Sequence, residues 1–259
     1  ASSSAVYGAW PGNAVPLSED APLRPNPGFE YAVHLAEMER RVSIWQAERP
    51  DVSIAVLRLA MILGGGFEKA LAAALGGVVA HRDANSSRPV QFMHIDDSVT
   101  AILLAAKSQL RGTYNVAPKG FISDATARAV AGAPPRPTLP SALAYAANDL
   151  AWRRKYKTSF AAAEPYLQHP WVVSSDRLQA AGWLPSYSNE EALVAEAHPS
   201  WWGGLRPRQR RSLVSAGAVG LWIAPLVALI VRLVYLKAVR PKMPAKLRLG
   251  SLRRYPRRG

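Results

Sequence analysis

The pair Asp96-Asp97 offers two adjacent carboxylates, enough to suggest a metal site or a paired-acid site. Adjacent acids at a helix start more often serve as a cap and as partners of the helix dipole. The five histidines, at 34, 81, 94, 169 and 198, show no metal-ligand spacing. No cysteine is present, which excludes a thiolate metal site, a cysteine nucleophile and a disulfide framework. No Ser-His-Asp order and no phosphate-binding P-loop is found. Gly64-Gly65-Gly66 lacks the spacing of a pyrophosphate turn. The basic cluster Arg153, Arg154, Lys155 and Lys157 reads as a solvated helix end or a lipid contact.

The charge is unevenly distributed. The chain has 259 residues, a mass of 28.0 kDa and a formal net charge of +14. Residues 1–200 are neutral, with 18 basic and 18 acidic residues, whereas 201–259 hold 14 basic residues and no acid. A neutral body with a basic tail argues for a surface-seeking segment and against nucleic-acid binding. Residues 212–231 (SLVSAGAVGLWIAPLVALIV) carry no charge and would span about 30 Å as a helix. Trp201, Trp202 and Tyr235 flank this run as interfacial aromatics, and Pro225 should kink it. The expected organisation is therefore a body over 1–200, a basic linker over 201–211, a hydrophobic membrane-associated helix over 212–236 and a basic tail over 237–259. The positive-inside rule puts the tail in the cytoplasm, and a cofactor-using body needs the same compartment. A re-entrant or in-plane anchor on anionic lipid, at the cytoplasmic face of the membrane, meets both demands.

The body alternates helices and strands, which predicts an α/β fold. A helix is expected over 28–48, with apolar positions Ala32, Leu35, Ala36, Val42 and Trp45. The run 52–63 (VSIAVLRLAMIL) reads as a strand buried on both faces. A short helix over 68–75, a strand over 90–94 and a helix over 98–109 capped by Asp96 or Asp97 follow. A strand is expected over 113–116, and Ser123 should cap a helix reaching about 130. The prolines of 132–140 demand a loop, and 141–155 reads as a helix. Ser188-Asn189-Glu190-Glu191 has the pattern of a capping box.

Several segments in order resemble an extended short-chain dehydrogenase/reductase of the NAD-dependent epimerase/dehydratase family, the group that includes UDP-galactose 4-epimerase. They are SSSAVYG (2–8), PLSEDAPLRPNPGFEYA (16–32) and the helix with AEMER, followed by VLRLAMILGGG (56–66). PVQFMHIDDSVTAILLA (89–105), GTYNVAP (112–118) and SSDRLQAAGWLPSYSNEEAL (174–193) complete the series. The resemblance implies the C-terminal part of a Rossmann-like doubly wound parallel sheet, with a small substrate-binding subdomain, over most of 1–198.

By the same resemblance, Ser3 polarises the substrate oxygen and Tyr31 is the general acid/base. Tyr31, Leu59 and Ala60 face the cofactor, NAD or NADP, while Arg88 and His94 contact the substrate. The family lowers the phenol's pKa, ordinarily near 10, with a lysine four residues after the tyrosine. That position is Leu35, which supplies neither charge nor hydrogen bond. His34 is about 100° away around the helix and does not replace it. The family's first βαβ units, about 100 residues with a Gly-x-x-Gly-x-x-Gly turn, have no counterpart. This and Ala1 in place of Met suggest an excerpt or a truncated product. Unpaired strand edges then predict an association-prone chain, with a homodimer as one outcome.

The expected function is NAD-dependent oxidoreduction at a nucleotide-sugar hydroxyl, weakened or lost through Leu35. An alternative keeps the fold but acts on a membrane-soluble sterol or lipid alcohol, which would account for the tail. A second alternative is a non-catalytic NAD-fold scaffold at a membrane.

Overall fold

The computed structural model describes residues 1–62, 80–81, 87–132, 138–156 and 160–196, with the single positions 209, 212 and 232. The chain divides into two compact units, Ala1–Gly204 and Leu205–Gly259. In the first, β1 (Ser2–Ser3) runs directly into a 3-10 turn at Ser4–Tyr7, and α1 covers Glu30–Glu48. Next come β2 (Ala55–Leu59), β3 (Ala80–His81), β4 (Pro89–Val90), α2 (Ile95–Lys107), β5 (Gly112–Val116) and β6 (Ile122–Ser123). The order then continues through α3 (Asp124–Val130), β7 (Thr138–Leu139), α4 (Ser141–Tyr156), α5 (Glu164–Gln168), α6 (Asp176–Ala180) and α7 (Asn189–Glu196).

The principal sheet is parallel, in the order β1-β2-β5, so the α/β expectation with a parallel sheet holds. Its central strand, AVLRL, is apolar apart from Arg58 and lies between two partners, as a buried central strand should. The strand is shorter than 52–63, however. Beyond Leu59 the strand ends, and Ile62 forms an isolated parallel bridge to Met93. The strand expected over 90–94 likewise contracts to β4, paired antiparallel with β6. The expected loop 132–140 includes β7, which pairs with β3.

Helix boundaries follow local chemistry. Ser123 accepts from the Thr126 amide at 3.0 Å and opens α3. Ser188 and Glu191 make both bonds of a capping box ahead of α7. The Ser188 amide donates to Glu191 at 2.8 Å, and the Glu191 amide donates to Ser188 Oγ at 3.1 Å. The cap of α2 differs from expectation: His94, not Asp96 or Asp97, holds it. Its Nδ1 accepts from the Asp96 amide at 3.2 Å.

Two hydrophobic clusters support the body. One gathers Phe29, Phe92, Trp152, Phe160, Tyr166 and Trp171. The other gathers Val6, Tyr7, Leu57, Leu59, Met93, Val116, Leu178 and Trp183 around the sheet. The expected helix over 68–75 lies outside the described residues. So do the 201–211 linker, the 212–236 helix and the 237–259 tail, apart from Gln209, Ser212 and Arg232, which are helical. Among the described residues no helix is long and apolar enough to cross a membrane.

Candidate active site

Parallel pairing brings the ends of β1 and β2 to one edge of the sheet, with Ser3 opposite Leu59. In open α/β sheets that carboxyl edge is where ligands bind. Ser3 is buried, and its hydroxyl accepts from the Ala5 amide at 3.3 Å, which caps the 3-10 turn. α1 packs on both β1 and this turn. Tyr31 sits in the first turn of α1, 37% exposed, its ring edge-on to Phe29 at 5.8 Å. The elements carrying Ser3 and Tyr31 are thus packed together. One turn further along, Leu35 packs against the sheet cluster, and His34 is exposed. A lysine at 35 would have to leave that apolar contact to reach a ligand.

Behind this edge lies a buried polar network whose partners are far apart in sequence. Arg58 of β2 donates three hydrogen bonds to the Glu39 carboxylate of α1 and one, at 2.7 Å, to the Tyr7 hydroxyl. Tyr7 in turn donates to Asn115 Oδ1 at 2.8 Å, and its ring lies 4.8 Å from the Arg58 guanidinium. Ser2 Oγ donates to Glu39, and the Asn115 amide donates to Glu19 at 2.9 Å. Burial opposes the Arg58 charge, yet hydrogen bonding to Glu39 and the nearby Tyr7 hold its pKa above the ordinary arginine value. Burial pushes the Tyr7 phenol up despite the opposing pull of Arg58, so it stays a neutral donor.

A small cleft beside this edge is lined by Ser4, Ala60, Met61, Val90, Gln91, Trp171 and Val172. Ala60 itself is buried, with its amide donating to the Val116 carbonyl at 2.8 Å. Gln91 ties the cleft's loops together. Its amide group donates to the Gly120 and Val173 carbonyls, and its oxygen accepts from the Val173 amide. None of these described lining residues is charged.

Arg88 is not a surface arginine. It is 4% exposed, its guanidinium donating to Asp124 and to the Tyr166 carbonyl, each at 3.3 Å. Burial lowers its pKa, with Asp124 working in the opposite direction. Nearby His169 is also shifted down, first by burial and then by the Arg88 charge. His94 stacks on Tyr187 at 3.9 Å as well as capping α2. Asp97, almost fully buried, accepts from the amides of Ser186 (2.8 Å) and Tyr187 (3.2 Å). The acid pair is therefore split in role: Asp97 clamps the 186–187 loop, and Asp96 faces solvent. Among the described residues no cluster of three His, Asp or Glu could hold a metal.

The fit to a dinucleotide is partial. Ser3, Leu59 and Ala60 lie at one edge of the sheet, and α1, which carries Tyr31, packs on β1, but Leu35 offers no donor to a ribose. No glycine-rich turn joins a strand to a helix among the described residues.

The sequence comparisons agree with this architecture. Residues 1–117 match the model of the NAD dependent epimerase/dehydratase family. A 3-diazoavenalumate denitrifying reductase from a Streptomyces species is 31% identical over 220 residues, covering 78% of this chain and 62% of the relative. An uncharacterized protein from Mycobacterium tuberculosis is 26% identical over 193 residues, covering 74% of this chain and 51% of its own length. The chain thus spans about half to three-fifths of the curated relatives it matches.

Among solved structures, the Thermus thermophilus UDP-glucose 4-epimerase complex with NAD superposes with a TM-score of 0.51 at 20% identity. It covers 76% of this chain and 61% of that one. UDP-glucuronic acid 4-epimerase from Bacillus cereus, also with NAD, gives 0.52 at 16% identity over 76% and 58%. These likenesses establish a shared fold. Ser3, Tyr31 and the parallel strands β1, β2 and β5 all lie inside the segment that matches the NAD dependent epimerase/dehydratase family.

Proposed function

We propose that the chain forms the substrate side of an NAD-dependent oxidoreductase, with Ser3 and Tyr31 at the reacting oxygen and with turnover weakened by Leu35. The observation that carries this reading is the pairing of Ser3 with Leu59 at the sheet's carboxyl edge, under the helix that bears Tyr31. Ser3 would hold the substrate oxygen, and Tyr31 would exchange its phenolic proton with that oxygen. The nicotinamide, when bound, supplies or accepts the hydride.

Two substrate classes follow from the sequence, a nucleotide sugar and an uncharged alcohol. The solved relatives with UDP-sugar names favour the first. The inward Arg88–Asp124 pair favours the second, because it engages the arginine that the resemblance assigns to the substrate. The Streptomyces relative, a reductase by name, adds support for a reduction that involves no nucleotide sugar. The reading adopted is oxidoreduction of an uncharged alcohol or carbonyl, including the lipid alcohols that a basic, apolar tail at the cytoplasmic face of a membrane would reach. A second reading, a non-catalytic scaffold, draws its support from the packed Leu35.

The test is nicotinamide absorbance on the full-length protein, with UDP-sugars in one panel and apolar alcohols and aldehydes in another. Turnover is expected in the second panel only, falling about 100-fold or more in Tyr31→Phe and Ser3→Ala. Turnover with UDP-sugars alone would reverse the substrate assignment. No hydride transfer in either panel would leave the scaffold reading in its place.

A further inference from the structure

α4 is apolar on both sides. Ala144, Asn148 and Trp152 are buried, and Trp152 belongs to the first hydrophobic cluster. The outward side carries Leu143, 60% exposed, and Leu150, 54% exposed, with the exposed Ala146 beside them. At 100° per residue Leu143, Ala147, Leu150 and Arg154 fall within one arc of about 60° along the helix. A helix open to water on one side carries polar residues there, whereas one that is apolar all round is covered.

The charges on α4 show what kind of surface suits this side. Its cations gather at the C-terminal end, where Arg153 and Arg154 are both exposed and the sequence adds Lys155 and Lys157. The acid of this helix, Asp149, does not cancel them on the outward side. It stands about 100° around the helix from Leu150, with its side chain 17% exposed. There it accepts from the Phe160 amide at 3.0 Å and from Arg153 at 2.7 Å. Arg153 stays 61% exposed while paired, and Arg154 has no partner among the described residues. Leucines along a helix with guanidinium groups at one end match an anionic bilayer surface. The leucines enter the boundary between headgroups and acyl chains, and the arginines meet lipid phosphates. The remaining sequence favours lipid over a soluble acidic partner, since 201–259 hold 14 basic residues and no acid around the uncharged run 212–231.

We propose that α4 is a membrane-contact face of the body, laid on anionic lipid through Leu143, Leu150, Arg153 and Arg154. The inference uses none of the residues assigned to the proposed reaction and does not depend on it. It also differs from the expected tail anchor, because it orients the body on the bilayer.

The chain has no cysteine, so Leu150→Cys accepts a single nitroxide label in the middle of this face. Collisions with oxygen, which concentrates in lipid, and with a water-soluble nickel chelate report whether the label is immersed. The readout is local to α4, so vesicle binding through the tail cannot mimic it. With the full chain on vesicles of phosphatidylcholine and phosphatidylglycerol, the label should be open to oxygen and shielded from nickel. On phosphatidylcholine alone, or at high salt, it should return to water. A label at Ile44→Cys on α1, a position 50% exposed, should report water throughout. Arg154→Glu should lower the ratio of immersed to aqueous label about tenfold or more, and Arg154→Lys should preserve it. Neither change should alter the far-UV circular dichroism. A chain that stays off anionic vesicles overturns the proposal, as does a label at 150 that reports water while the chain floats with them. Immersion that ignores both lipid charge and Arg154→Glu, or that is equal at 44, overturns it too. So does shielding from both reagents, which marks a protein contact in place of lipid.

Discussion

Glu39 in the middle of α1 receives three hydrogen bonds from Arg58 of β2, at 3.2, 3.0 and 2.7 Å, with the two side chains 6% and 7% exposed. The pair fixes the helix that carries Tyr31 to the central strand. Through Ser2 Oγ it also reaches the residue next to Ser3. One buried ion pair thereby sets the mutual position of both elements that bound the candidate site.

Breaking the pair from one side should cost far more than removing it whole. Glu39→Ala leaves the Arg58 guanidinium buried beside Tyr7 without its carboxylate, and about 3–5 kcal/mol of stability should be lost. The joint change Glu39→Leu with Arg58→Met removes both charges at similar volume and should cost less than either single change. Urea denaturation midpoints at neutral pH measure the difference. Equal losses in the single and joint variants would show that the pair is not the keystone of this packing.

This network also marks where sequence reading stops. The capping box at Ser188–Glu191 and the Ser123 cap were legible, because each depends on neighbours within a few residues, and the apolar run marked β2 as a buried strand; its parallel pairing, to partners more than fifty residues away, was reached through resemblance. The roles of Glu39 and Arg58 were not. They lie 19 residues apart, and an amphipathic reading of α1 turns Trp45 inward, whereas Trp45 is exposed and Glu39 is buried. Arg88 is a similar case, since its direction is set by Asp124, 36 positions on. His94 took the α2 cap because its Nδ1 reaches the Asp96 amide, a geometry that side-chain preference alone does not rank above Asp. Ser3 and Tyr31 were reached only through resemblance, and neither carries a spacing that identifies it by itself.

Leu35→Lys tests whether the chemistry of the site lacks only one charge. An ammonium group one helical turn from Tyr31 would favour the phenolate, so the acid–base pH profile should shift to lower pH and turnover should rise about tenfold or more. The change removes an apolar contact with the sheet cluster, and a stability loss of about 1–3 kcal/mol is expected alongside. Initial rates against pH, paired with a denaturation curve, separate the two effects. Lost stability with no gain in rate would favour the scaffold reading.

Asp97 and Asp96 should respond to the same substitution by very different amounts. Asp97→Asn removes a buried carboxylate that accepts two backbone amides of the 186–187 loop, and the loss should be about 1.5–3 kcal/mol per charged hydrogen bond disrupted. Tyr187 should also leave the His94 ring, a change visible in the aromatic NMR shifts of both. Asp96→Asn alters an exposed side chain and should cost under about 1 kcal/mol. Thermal unfolding of the two variants, compared at one pH, is the measurement.

The capping box gives a pH dependence with a definite sign. The Glu191 carboxylate accepts from the Ser188 amide and also interacts with the Ser188 hydroxyl, and these bonds hold its pKa below the ordinary glutamate value. A group whose folded pKa is depressed contributes stability that is fully present above its unfolded pKa. The contribution is lost as pH falls through the folded value. The unfolded chain titrates Glu near 4.3, so the α7 end should be most stable above about pH 5 and should loosen only on the acid side. Carboxyl carbon shifts of Glu191, followed by NMR across acid pH, should place its midpoint below that of an unpaired glutamate in the same protein. Ser188→Ala removes the hydroxyl half of the box and should raise the midpoint only part of the way, because the Ser188 backbone amide remains. An unchanged midpoint in that variant would leave the backbone bond as the sole cause of the depression.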